Sequence, residues 1–144
     1  MKMKPTVRFR LDFGNRCSVG VGKVELLEGI QRTGSLSQAA REMHMSYRRA
    51  WLLLEDMNIS FDQPVATASV GGRGGGGVVL TAFGSSLATG YRRFESRLQP
   101  LADSCVGAFS AHINPGRIKR TVKSASLKRN TPTRGKSSGK SGAR

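Results

Sequence analysis

The chain has 144 residues and a formal net charge of +15, from 24 Lys or Arg against nine Asp or Glu. Ten of the basic residues and none of the acidic ones lie in residues 107–144, which leaves an excess of five, 14 against nine, in residues 1–106. Such a balance draws polyanions, either nucleic acid or an anionic membrane surface, and the length suits one ordinary domain with a tail. No stretch approaches the roughly 18 apolar residues needed to cross a bilayer, and residues 1–13 alternate charged with apolar side chains, so neither a membrane span nor a secretory leader is expected. Two distant cysteines, Cys17 and Cys105, do not make a disulfide framework and suit a reducing cytoplasm. Joined with His44 and His112 they give no ligand-pair spacing, so no metal and no cofactor is expected.

Residues 7–13 alternate with period two, which puts Val7, Phe9, Leu11 and Phe13 on one face of a short half-buried strand. A polar, glycine-containing stretch follows. Residues 22–33 then predict a helix that buries Val24, Leu26, Leu27 and Ile30 and stops at Gly34. Ser35 opens Ser-Leu-Ser-Gln, the form of a capping box in which Gln38 returns the bond. Leu36, Ala39, Ala40 and Met43 supply the buried stripe of this second helix, and the small alanines let a neighbouring helix come close. His44 reads as a turn residue rather than a ligand. Ser46 caps a third helix with Ala50, Leu53, Leu54 and Met57 inward.

Residues 64–70 and 78–81 predict two short strands around residues 71–77, a glycine-rich tip that contains Arg73. From Ala82 the helical period returns through Phe83, Leu87, Tyr91, Phe94, Leu98 and Leu101, predicting a long amphipathic helix weakened by Gly84 and Gly90, with Pro100 in its last turn. Beyond about Gly107 the composition cannot bury enough surface to offset its ordering entropy, and a disordered basic tail is expected. The domain is therefore placed at residues 1–106, with its core at 20–103 and the tail at 107–144.

The chemistry concentrates in the helix, tight turn and helix of residues 35–57. With Ala50, Leu53, Leu54 and Met57 inward, Arg48 and Leu52 point away from the core, with Arg49, Glu55 and Asp56 nearby. Arg48 and Arg49 lie in the first turn, the end of a recognition helix that reaches base edges in the major groove, where arginine pairs with guanine O6 and N7. The alternative is an ordinary solvated face of a three-helix bundle. Tyr47 is read as a contact to sugar or phosphate, and Trp51 as packing partly into the core. Residues 72–77 formally contain Gly-x-Gly-x-x-Gly, but a strand follows where a dinucleotide fingerprint needs a helix, and no Gly-Lys-Ser/Thr is present. Arg73 at the tip can instead approach a phosphate or the minor groove. No nucleophile, base and orienter come together, so an enzyme is not expected.

Gly-Ser-Leu-Ser-Gln-Ala-Ala (34–40), Met-Ser-Tyr-Arg-Arg-Ala-Trp (45–51), Met57-Asn58, and the glycine run followed by Leu80-Thr81 and Phe83-Gly84 together resemble the amino-terminal domain of the molybdate-dependent regulator (ModE) family, itself related to LysR-type regulators. The resemblance covers about residues 20–103. It implies a mainly α winged helix-turn-helix with a small β-hairpin, in which residues 35–57 form the helix-turn-helix and 71–77 the wing tip. Ser35, Ser37, Ser46, Tyr47, Arg48, Arg49, Trp51 and Arg73 would meet double-stranded DNA. The first helix and the long last helix would pair with their copies in a homodimer through Leu27, Leu87, Tyr91, Phe94 and Leu98, although one chain could use the same apolar seam internally. Family members carry a carboxy-terminal molybdate-binding portion, and the composition of residues 107–144 does not suit one, so no molybdate binding and no small-molecule effector is expected. The resulting expectation is a cytoplasmic, nucleoid-associated transcriptional regulator acting on a palindromic operator. An architectural nucleoid protein dominated by its tail and a protein-interaction module built on the winged domain stand as the alternatives.

Overall fold

The computed structural model describes residues 4–14, 17–70 and 77–114. Met1–His112 form one compact unit and Ile113–Arg144 a second, of which only Ile113 and Asn114 fall among the described residues. In chain order the elements are β1 (Arg10–Phe13), β2 (Cys17–Gly20), α1 (Val21–Thr33), α2 (Leu36–Glu42), α3 (Tyr47–Ser60), β3 (Ala66–Ser69), β4 (Gly77–Leu80) and α4 (Ala82–Val106), followed by a 3-10 turn over Gly107–His112. No helix among the described residues is long and apolar enough to cross a membrane.

The core forms where the sequence periodicity puts it. Val24, Leu26, Leu27 and Ile30 of α1 are fully buried and pack with Ala39, Ala40, Ala50, Leu54 and Met57 of α2 and α3. Each large side chain withdrawn from water contributes on the order of 1.5–3 kcal/mol before its ordering is counted, so α1 acts as the central strut. The first two helices meet at van der Waals distance because both contact residues are small. A Cβ added at Gly29 would stand 3.0 Å from the Ala39 Cβ.

Several elements differ from the sequence reading. The N-terminal strand begins at Arg10 and is half of a hairpin, since Cys17–Gly20 pairs antiparallel with it in the register Leu11 to Val19 and Phe13 to Cys17. The polar stretch before α1 thus contributes a strand, anchored by buried Cys17 and Val19. The last helix continues through Pro100 to Val106. Proline there removes only one N–H on an exposed face, and Gln99 holds the turn by donating to the Pro5 carbonyl (2.7 Å) and to Asp103 Oδ1 (3.1 Å).

Gly84 does not merely weaken α4. A Cβ at that position would lie 1.9 Å from the Val65 carbonyl oxygen, so glycine is what lets the first turn of α4 sit against the chain entering the hairpin. The same carbonyl accepts the Thr81 N–H at 3.0 Å, while the Thr81 hydroxyl donates to the Pro64 carbonyl and accepts the Gly84 N–H as the helix cap. Further along, α4 is tied to α1 by Arg92, which makes two 2.8 Å bonds to Glu28 and a third to Glu95. Glu28 first, and then Glu95, make the Arg92 guanidinium hold its proton still more firmly than usual.

Candidate nucleic-acid interface

Local chemistry builds the helix pair. Gly34 ends α1 in the left-handed conformation (φ 67°), donating its N–H to the Ile30 carbonyl. Ser35 then caps α2 by accepting the Gln38 N–H at 3.2 Å. The returning half of the expected capping box is not made, because the Ser35 N–H donates to the Thr33 hydroxyl at 3.2 Å. At the other end of α2 the His44 N–H reaches the Arg41 carbonyl and the Met45 N–H reaches that of Ala40, both at 3.0 Å. This is a Schellman closure in which His44 takes the left-handed position usually given to glycine (φ 53°). Ser46 caps α3 by accepting the Arg49 N–H at 3.2 Å. Both capping serines use an oxygen lone pair, so each hydroxyl proton remains free to be donated to a phosphate.

Those caps aim α3. Its inward side is fixed by Ala50, Leu54 and Met57 and by Lys23 of α1, whose buried ammonium donates to Asp56 and to the Ser18 carbonyl. Its outward side carries Tyr47, Arg48, Arg49, Trp51 and Leu52, all exposed. Neither arginine has an ion-pair partner among the described residues, and the first turn holds no acidic side chain. The positive end of the helix macrodipole adds to these two charges, so the field at this corner favours an anion. Trp51 is 46% exposed and belongs with this outer face rather than with the core expected for it, since its place on the helix lies beside the buried line and not on it.

The hairpin is docked beside the helix pair by backbone groups. β3 and β4 pair antiparallel with Thr67 opposite Val79. The Asn58 side chain accepts the Val65 N–H at 2.8 Å and donates to the Ala66 carbonyl, clamping the start of β3 to the end of α3. The Val78 N–H donates to the Gly34 carbonyl at 3.1 Å, tying β4 to the α1–α2 turn. The sequence pattern assigns Asn58 no physical task and does not single out Lys23, because the Asn58 partners are backbone groups across the turn after α3 and Lys23 pairs with Asp56, 33 residues away. The expected contact Arg73 and the tip around it lie outside the described residues.

The expected dimer residues divide. Leu27 is fully buried within the protomer, and Tyr91 is 3% exposed, stacked on Phe9 with ring centroids 4.3 Å apart and donating its hydroxyl to the Phe9 carbonyl at 2.7 Å. Burial, and then Glu95, push the Tyr91 phenol above its usual range. Both side chains are therefore covered within the protomer. Leu87 and Leu98 are half-buried, and Phe94, whose ring also meets Phe9 edge-on, is exposed. Ser35 and Ser37 are half-buried and Ser46 is exposed.

A three-helix unit whose second and third helices are joined by a tight turn and flanked by a two-stranded hairpin is a winged helix-turn-helix. No protein-family model matches the sequence. The chain is 38% identical over 112 residues to the molybdenum-pterin-binding protein MopB of Rhodobacter capsulatus, covering 78% of this chain and 41% of that protein. It is 34% identical over 96 residues to the molybdenum transport protein ModE of Azotobacter vinelandii, covering 67% and 36%, and 38% identical over 65 residues to the DNA-binding transcriptional dual regulator ModE of Escherichia coli, covering 45% and 25%. The resemblance read from the motifs is therefore borne out: the chain is a homologue of the ModE and Mop proteins, matching well under half the length of each.

Proposed function

We propose that this chain binds double-stranded DNA in a sequence-selective way and regulates transcription. The observation that carries the reading is the exposed first turn of α3, where Arg48 and Arg49 have no ion-pair partner among the described residues and stand beside a capping serine on a helix locked to the core from behind. In this reading α3 lies in the major groove with Arg48 on base edges. Ser35, Ser37, Ser46, Tyr47, Arg49 and Trp51 lie toward the backbone, and Arg73 at the wing tip reaches the flanking groove. The protein acts as a homodimer joined through the outward residues of α4, Phe94 and Leu98 with part of Leu87, on a palindromic site. The relatives named as transcriptional regulators support the reading.

The basic excess of residues 107–144 favours a second reading, in which the chain coats DNA without choosing sequence. Footprinting on genomic fragments at rising salt separates the two. A regulator leaves discrete protected sites that persist after general binding has been competed away. Uniform protection that vanishes with salt at one common midpoint rejects the regulator.

A further inference from the structure

We propose that Leu52 is a specificity residue that reads thymine through its C5-methyl group, an inference that rests on the DNA-binding reading above. Leu52 is 50% exposed although it lies in the middle of a well-formed helix, and Trp51 and Tyr47 beside it are exposed to a similar degree, at 46% and 56%. These exposed apolar side chains share the outward side of α3 with Arg48 and Arg49, and apolar exposure gathered on one face marks an interaction surface. Arg48 and Leu52 are four positions apart, so they lie one above the other on the outward side of α3.

The major-groove edges of the bases are donors and acceptors, with a single apolar feature, the methyl group of thymine. An arginine and a leucine in line on one helix face therefore match a guanine and a thymine. Their offset along the helix is about 6 Å, which corresponds to roughly two base steps of about 3.4 Å when the helix follows the groove. The geometry thus assigns each half-site a guanine met by Arg48 and a thymine about two steps away met by Leu52.

The test begins with a duplex that the full chain selects from a random-sequence pool. That duplex is resynthesised with deoxyuridine replacing thymidine at one position at a time, which deletes the methyl group and leaves base pairing intact. The expected result is one thymine per half-site whose replacement weakens binding roughly fourfold, the scale of one buried methyl group. Leu52→Ala binds the thymine duplex more weakly by a similar factor and does not respond to the replacement. Ile59→Ala, a change at a 73% exposed residue nearer the end of α3, keeps the full response. The proposal is overturned if the unaltered chain is indifferent to the methyl group at every thymine, or if Leu52→Ala keeps the preference. A chain that selects no duplex at all overturns the sequence-selective reading itself, a separate failure visible at the first step.

Discussion

Helices α3 and α4 are the two longest among the described residues, and they spend their polar side chains in opposite ways. On α4 the strong groups face inward: Arg92 holds Glu28, Tyr91 holds the Phe9 carbonyl, and Gln99 holds the Pro5 carbonyl. On α3 the inward groups are Asp56 and Asn58 near its end, while the basic and aromatic side chains of its first half make no hydrogen bond or ion pair among the described residues. Both helices leave apolar side chains in water: on α3 Tyr47, Trp51 and Leu52 share the first two turns with Arg48 and Arg49 while Ile59 stands alone near the end, whereas on α4 Leu101, Val106 and Phe109 extend the exposure past Phe94 into the 3-10 turn. One helix therefore carries a mixed surface suited to a charged groove, and the other a scaffold face with an apolar margin.

Mutations separate these roles. The largest effect is expected for Gly84→Ala, because its Cβ meets a backbone carbonyl that cannot rotate aside; destabilisation of about 3 kcal/mol or more should appear in urea unfolding. DNA affinity per folded molecule should be unchanged. In the dimer reading Phe94→Ala, at a residue exposed in the single protomer, should weaken self-association by about 1.5–3 kcal/mol, checked by sedimentation over a concentration series. Arg48→Ala belongs to the opposite region. It should remove about 1–3 kcal/mol of discrimination between selected and scrambled duplexes, while the unfolding midpoint stays put because the side chain touches nothing that folding needs. A drop in stability with discrimination intact would reverse the assignment of the two helices.

What the sequence made legible follows the range of the interactions involved. The buried lines of α1 to α3 could be read because helical periodicity is written in neighbouring residues, and the caps at Ser35 and Ser46 because the bonded N–H is three residues away. The strand Cys17–Gly20 offers only Cys17 and Val19 as alternating apolar residues, too short a signal to stand out from loop. Periodicity shows that Leu27 and Tyr91 leave water but not which segment covers them, and within the protomer both are buried. Gly84 carried only its local helix penalty until the Val65 carbonyl was seen against it. On the candidate interface the arginines were legible as charge on an outward wheel position, whereas the exposure of Trp51 depended on how far α2 and the hairpin extend around α3.

The smallest predicted effect concerns the turn that sets the angle between α2 and α3. His44 closes it at φ 53°, a conformation in which a Cβ crowds the following carbonyl and which glycine adopts freely. Its imidazole is exposed and makes no hydrogen bond within the described residues. His44→Gly should thus stabilise the fold by about 0.5–1 kcal/mol, the relief of strain less the extra entropy that glycine gives the unfolded chain. The measurement is the urea midpoint, and a decrease would mean that the imidazole supports the fold. The same variant also sharpens the comparison, because the turn belongs to the α3 side of the molecule. Stabilisation with unchanged DNA affinity would assign His44 to chain reversal alone. Stabilisation with weakened affinity would mean that the strained residue is retained for what its side chain does at the groove.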